Sequence, residues 1–182
     1  MLGAGVKLEN HPWAEENVVD TQAIIFPPSE WVPNNGTLPV LIYKDVLTGT
    51  DGVSEFEQLF KKNGWSGIWR NGVFDYQHYH SGAHEVLGVG RGSATLLIGG
   101  PSGQKIDVSV GDCLVLPAGT GHQNLGSTSD FVVVGAYPPG QQADIQRCQP
   151  TNELLARIAE IKLPDSDPVQ GSCRYLISTW CK

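Results

Sequence analysis

Four of the five histidines in this 182-residue chain fall between residues 78 and 122. The densest stretch, residues 72–85, reads GVFDYQHYHSGAHE. His78 and His80 stand two apart, so on an extended strand they share a face with Cα atoms about 6.6 Å apart, at a rise of ~3.3 Å per residue. Imidazoles so placed can converge on one ion at metal–nitrogen distances of about 2.1 Å. Ser81-Gly82-Ala83 predicts a turn, so Glu85 opens a returning strand and brings a carboxylate beside the pair. His84 has the opposite parity and should point away from that face, to the exterior or to a subunit contact. A second stretch, GDCLVLPAGTGHQN over residues 111–124, predicts a turn at Gly111-Asp112, a buried strand, a turn at Pro117-Ala118-Gly119 and a strand entered by His122. If that strand lies opposite the first cluster, His122 completes a site of three histidines and one carboxylate.

Such a site would leave one or two positions open on a five- or six-coordinate ion, which separates a catalytic centre from a closed structural one. Its mixed nitrogen and oxygen donors suit Fe, Mn, Ni, Co or Zn as a single divalent ion per chain. Iron or manganese would permit oxygen chemistry, whereas a redox-inert ion would polarise a carbonyl or enolate. Parity also nominates walls for the pocket. Tyr76 goes with His78 and His80, Asn124 with His122, and Leu87, Val89, Phe131, Val133 and Tyr137 fall on candidate inward positions. Trp65, Trp69 and Arg70 read as core packing or barrel closure, and Arg91 as a solvated surface charge.

The elements that must hold these residues are short. Between about residues 66 and 138 the chain runs through Asp75–His80, Glu85–Val89, Ala94–Ile98, Lys105–Val110, Leu114–Leu116, His122–Leu125 and Phe131–Tyr137, mostly with glycine-containing turns between. Several short strands at close, regular spacing predict an antiparallel sandwich or barrel of the jelly-roll kind. Residues 1–65 form an arm with strands at Ala23–Phe26 and Val40–Tyr43 and then a helix. Ser54 and Glu57 offer that helix a capping box, Phe56, Leu59 and Phe60 an apolar face, and Gly64 a stop. Residues 66–140 are the barrel core. Residues 141–182 supply a second helix, capped by Thr151, with the stripe Leu154, Leu155, Ile158 and Ile161, and an apolar end at Tyr175–Ile177 and Trp180 that packs back on the body. All three stretches belong to one domain. The glycine-rich run Gly88–Gly92 lies inside a strand and has no nucleotide-binding helix after it.

A net charge of −7 argues against nucleic-acid or anionic-membrane partners. No apolar run approaches the ~18 residues of a spanning helix, and the N-terminus MLGAGVKLENHPW lacks the pattern of a secretory signal. The four cysteines (Cys113, Cys148, Cys173, Cys181) form no C-x-x-C pair, which reads as free thiols in a reducing, cytoplasmic setting; Cys173 and Cys181 could pair in an exported protein.

The two clusters resemble the paired motifs of the cupin superfamily. The first motif is matched by Gly72, His78, His80, Glu85 and Gly92, and the second by Gly111, Pro117, Gly119 and His122, with Gly126 where the family usually has Asn. The phrases HYHSGAHEVLGV, LPAGTGHQNLG and VVVGAYPPG further resemble the YjlB-type cupins. The resemblance implies an all-β fold, a double-stranded β-helix or jelly-roll cupin barrel with a few peripheral helices. It places His78, His80, Glu85 and His122 in the metal-ligand positions and gives Glu85 a possible proton-accepting role. It implies a small-molecule substrate or ligand, with dioxygenase-type oxidation first and isomerase, lyase or decarboxylase chemistry next. A non-catalytic binding domain is the alternative from another class. Family precedent together with the strand-rich arm predicts a homodimer.

Overall fold

The computed structural model describes residues 20–172 and 175–181. Its strands are β1 (Asp20–Ile24), β2 (Val40–Lys44), β3 (Ser66–Asn71), β4 (Glu85–Arg91), β5 (Ser93–Ile98), β6 (Gln104–Ser109), β7 (Cys113–Leu116), β8 (His122–Ser127) and β9 (Val132–Tyr137). The helices are α1 (Val53–Lys62), α2 (Asn152–Glu160) and α3 (Tyr175–Trp180). The strands form two antiparallel sheets, a six-stranded one in the order β1-β2-β7-β4-β9-β3 and a three-stranded one in the order β6-β5-β8. This is the jelly-roll arrangement that the spacing of the short strands predicts.

Period-two alternation explains how the sheets pack. In the six-stranded sheet Val40, Ile42, Leu87, Val89, Leu114, Leu116 and Val133 turn inward, to meet Ala94, Leu96, Ile98 and Val108 from the other sheet. The intervening residues Leu41, Tyr43, Val86, Cys113, Val115, Val134 and Ala136 turn outward, yet they are equally buried, because Phe56 and Phe60 of α1 and Leu176 and Trp180 of α3 cover them. A sheet covered on both faces reads as continuous apolar runs, as in VLIY and CLVL. β5, with one face toward solvent, alternates instead. The glycines at 88 and 90 serve this layering. A Cβ at Gly88 would stand 2.7 Å from the Phe56 ring and one at Gly90 2.5 Å from Val53, so their absence lets α1 lie directly on β4.

Two local expectations are corrected and a third holds. Asp75–His80 is not a ladder strand: its strand-like pairing is confined to the isolated bridges His78↔His122 and Tyr79↔Gln146. β3, formed from SGIWRN, stands in its place at the sheet edge, paired with β9. The capping box at Ser54 does not form, because α1 starts two residues earlier, with Gly52 as its N-cap and no side-chain cap; Glu57 pairs with Arg70 instead. Thr151 does cap α2, its side chain accepting from the Leu154 amide at 3.3 Å. The N-terminal stretch through residue 19 and Cys173, with its possible pairing to Cys181, lie outside the described residues. Among the described residues no helix is long and apolar enough to cross a membrane.

Candidate metal centre

Chain ends of β4 and β8 bring the four candidate ligands together. Glu85 is the first residue of β4 and His122 the first of β8. His78 is bound to His122 through two backbone hydrogen bonds, His78 N to His122 O at 3.2 Å and His122 N to His78 O at 2.9 Å. The Pro117–Gly119 turn steadies the remaining histidine, since the Gly119 amide donates to the His80 carbonyl at 2.8 Å. The H-x-H segment therefore reaches its place by bridging to the second motif rather than by strand pairing along its length.

The three imidazoles are buried and offer nitrogens that all lie within 4.8 Å of one another. Their ring centroids are 4.0 Å apart for His78 and His122, 5.3 Å for His78 and His80, and 5.2 Å for His80 and His122. Each ring is oriented from behind. Nδ1 of His78 meets the Tyr76 carbonyl at 3.1 Å, Nδ1 of His122 the Thr120 carbonyl at 3.1 Å, and Nδ1 of His80 the Asp144 carbonyl. A carbonyl can only accept, so each Nδ1 carries the proton, and in the neutral ring Nε2 is left with a lone pair. This outer arrangement is the one by which proteins orient metal-bound histidines and fix their tautomer.

Glu85 closes the set. Its Oε2 lies 3.2 Å from His80 Nε2 and 3.4 Å from His122 Nε2. These approaches do not have hydrogen-bond geometry, and Oε2 is buried without a hydrogen-bond partner. A buried anionic oxygen without a hydrogen bond, beside two of the three inward imidazole nitrogens, is what a divalent cation would satisfy. The electrostatics agree. Burial, and then the neighbouring His122 ring, push His78 down to about 3, so it is neutral and free to ligate. Burial would lower His80 too, but the Glu85 carboxylate beside it lifts it to about 9. Burial works against the charged form of Glu85, yet His80 and His122 hold its carboxyl well below the usual range. Without a cation the carboxylate must lean on a proton held by His80.

These groups line one end of a cavity of about 230 Å³, whose other walls include Trp69, Val73, Phe74, Leu87, Tyr137 and Ile145. Of the expected wall residues, Leu87 and Tyr137 line it. Phe131, Val133 and Val89 do face the interior, but they pack into the core between the sheets and do not reach the cavity. Tyr76 stacks on Phe74 at 4.8 Å, with the Arg147 guanidinium over its ring at 4.1 Å, and lies outside the cavity lining. Asn124 is spent on its own strand, donating to Ser127 Oγ at 3.2 Å and accepting from the Gly126 amide at 2.9 Å. His84 points away from the centre as its parity requires, but it is fully buried rather than exterior. Its Nδ1 accepts from the Ala118 amide at 3.0 Å, and its ring lies 4.9 Å from that of Trp180. Arg91 is on the surface, paired with Asp51.

Sequence reasoning missed Trp69, Phe74, Ile145 and Asp144. Trp69 sits on a strand that was not foreseen. Ala143 and Ile145 belong to the segment after β9, which folds back across the cavity and is held by Asp144. That carboxylate accepts from the Ser81 amide at 2.7 Å, the Gly82 amide at 3.1 Å and Gln146 Nε2 at 2.8 Å, while its carbonyl positions His80.

Comparison with models of known protein families finds no match. Among solved structures, the chain is similar to acireductone dioxygenase from Bacillus anthracis with cadmium ion in its active center, at 15% identity and a TM-score of 0.36, over 51% of this chain and 64% of that one. It is also similar to RmlC from Streptococcus suis in complex with dTDP-D-xylose, at 13% identity and a TM-score of 0.30, over 87% of this chain and 94% of that one. Likenesses of this depth say nothing about what this chain does. The uncharacterized protein YjlB of Bacillus subtilis (strain 168) is 39% identical over 165 residues, covering 90% of this chain and 98% of that protein. The chain belongs to the YjlB family, as its HYHSGAHEVLGV and LPAGTGHQNLG motifs implied.

Proposed function

We propose that this protein is a metal-dependent cupin enzyme in which His78, His80, Glu85 and His122 hold one divalent ion against a small organic substrate. The observation that carries this reading is the buried Glu85 Oε2, without a hydrogen bond and 3.2 and 3.4 Å from two inward-turned imidazole nitrogens. The bound ion would supply an open Lewis-acidic position and, if redox-active, access to oxygen chemistry. Dioxygenase-type oxidation is the leading reaction, and isomerase, lyase or decarboxylase chemistry the alternative.

The chain's own residues narrow the substrate. A cavity of about 230 Å³ is below the ~300–1,000 Å³ of ordinary ligand pockets, so the substrate is small. Its walls away from the ligands are chiefly apolar, and among the described residues no lysine or arginine lines them. Arg70 and Arg91 are turned outward onto Glu57 and Asp51. A phosphorylated or multiply anionic substrate would find no side-chain cation beside the ion to share its charge. A flat, largely apolar molecule with one or two oxygen donors fits. Trp69, Phe74 and Ile145 exclude water from it and orient its apolar part, while Glu85, ionised in this setting, can accept a proton from the reacting carbon or hydroxyl.

The test is elemental analysis of protein purified without chelators, followed by oxygen-uptake and product screens with small diketones, flavonols and small acids. Turnover that disappears on chelation and returns with one particular metal is expected. Full turnover by a metal-free preparation would overturn the reading, and silence toward every candidate with the metal bound would favour a binding role. We also propose a homodimer, because among the described residues β1 is an edge strand with β2 on one side only; a monomeric mass in light scattering would exclude it.

A further inference from the structure

Trp69 and Tyr137 face the cavity from adjacent strands and are joined to each other. The indole Nε1–H of Trp69 donates to the phenol oxygen of Tyr137 at 2.8 Å. The phenol has a single proton to give, and with Trp69 donating to its oxygen that proton must turn elsewhere. On β4 and β9 the pair Val86↔Ala136 is in register, so Glu85 and Tyr137, one residue beyond it on each strand, are cross-strand neighbours on the inner face.

Two glycines build this arrangement. Trp69 is paired across the sheet with Gly135, and a Cβ there would collide with the indole. The bare backbone at 135 lets the ring lie across β9 and carry Nε1 to the neighbouring phenol. Gly67, at φ +62°, brings β3 against the other side of the Tyr137 ring, where a Cβ would stand 3.1 Å from Cδ2. Tyr137 is thus fixed from two sides, beside the carboxylate and at the cavity wall.

We propose that the Tyr137 hydroxyl donates a hydrogen bond to an oxygen of the ligand in this cavity, next to Glu85, and that Trp69 acts through it as a positioning residue. The inference rests on the metal-site reading above and adds to it a fixed donor for the substrate. A ligand chelating through two oxygens would present one of them to this proton.

The test uses zinc-loaded protein titrated by calorimetry with tropolone, a flat bidentate oxygen chelator, after the metal content of each sample has been measured. Tyr137→Phe should leave metal content unchanged, lower the melting temperature by a few degrees because the Trp69 N–H loses its acceptor, and weaken tropolone by about 10-fold, the effect of one hydrogen bond to a charged acceptor. Trp69→Phe should weaken it by a smaller factor, of order 3-fold, and should add nothing in the Tyr137→Phe background, whereas a merely structural role would add its loss in both. Equal tropolone affinity in loaded wild type and Tyr137→Phe overturns the inference and leaves the metal site standing. Loss of metal from Tyr137→Phe overturns it too, because the phenol would then be structural. A wild-type chain that takes up no zinc overturns both readings together.

Discussion

Replacing Glu85 with Gln separates a metal-binding carboxylate from a structural one. The two side chains have nearly the same shape, so the change removes charge from a fully buried position and little else. In the metal-free protein the loss is mild. His80 is held up at about 9 by this carboxylate, and without it the buried ring gives up its proton and becomes neutral. A bound cation has no such escape. Removing one partner of a buried charge pair costs about 3–5 kcal/mol, which at ~1.4 kcal/mol per decade is a loss of at least 10²-fold in metal affinity. The thermal shift on adding metal reports this directly. With metal at ~100 times its Kd, wild type gains about 2.7 kcal/mol, and for a chain of this length each kcal/mol moves Tm by about 2–4 °C, hence a rise of about 5–11 °C. At the same metal concentration a 100-fold weaker Glu85→Gln protein gains only about 0.4 kcal/mol, a rise of about 1–2 °C. Differential scanning fluorimetry on apo and metal-supplemented samples measures both quantities. A Glu85→Gln protein whose shift equals that of wild type refutes the role given to Glu85. So does one whose metal-free form has lost most of its stability.

Gly135→Ala should force the Trp69 indole off β9; overpacking of this kind costs about 1–3 kcal/mol, so Tm should fall by several degrees, and the loss should shrink in a Trp69→Ala background. Phe131→Ala should cost about 3–5 kcal/mol in urea denaturation with metal affinity unchanged, since Phe131 fills the core rather than the cavity. Burial would raise the Asp144 carboxyl, but hydrogen bonds from Ser81 and Gln146 hold it down at about 2, below its ordinary 3.8. A depressed carboxylate stabilises the fold above its unfolded pKa and loses that contribution as pH falls through the folded one. Wild-type Tm should therefore drop between about pH 4 and pH 2 more steeply than that of Asp144→Asn, and parallel curves would count against the strap over His80.

What was legible in the sequence was chiefly what is local. An H-x-H step, a three-residue turn and a glutamate opening the next strand fix three donors within eight residues. His122 needed a long-range closure, and the structure supplies it through the His78↔His122 bridge. Parity told which face a side chain takes but not how far along the interior it lies. Phe131 and Val133 face inward and still miss the cavity, which Leu87 reaches. His84 turns from the metal as expected, but its burial depends on Trp180, which is 96 residues away in sequence. β3 was hidden because SGIWRN carries glycine and mostly polar, half-exposed positions, a poor strand signal for an edge. With β3 unseen, the Trp69–Gly135 pairing and its consequence for Tyr137 could not be read.

X-ray absorption at the edge of the bound metal, recorded on protein reconstituted with a single divalent ion, tests the convergence of these four side chains most directly. A first shell of nitrogen and oxygen with the multiple-scattering signature of about three imidazoles per ion is expected, reduced by one ring in His78→Ala. A shell containing sulfur, or a spectrum that His78→Ala and His122→Ala leave unchanged, would place the ion elsewhere and contradict the account.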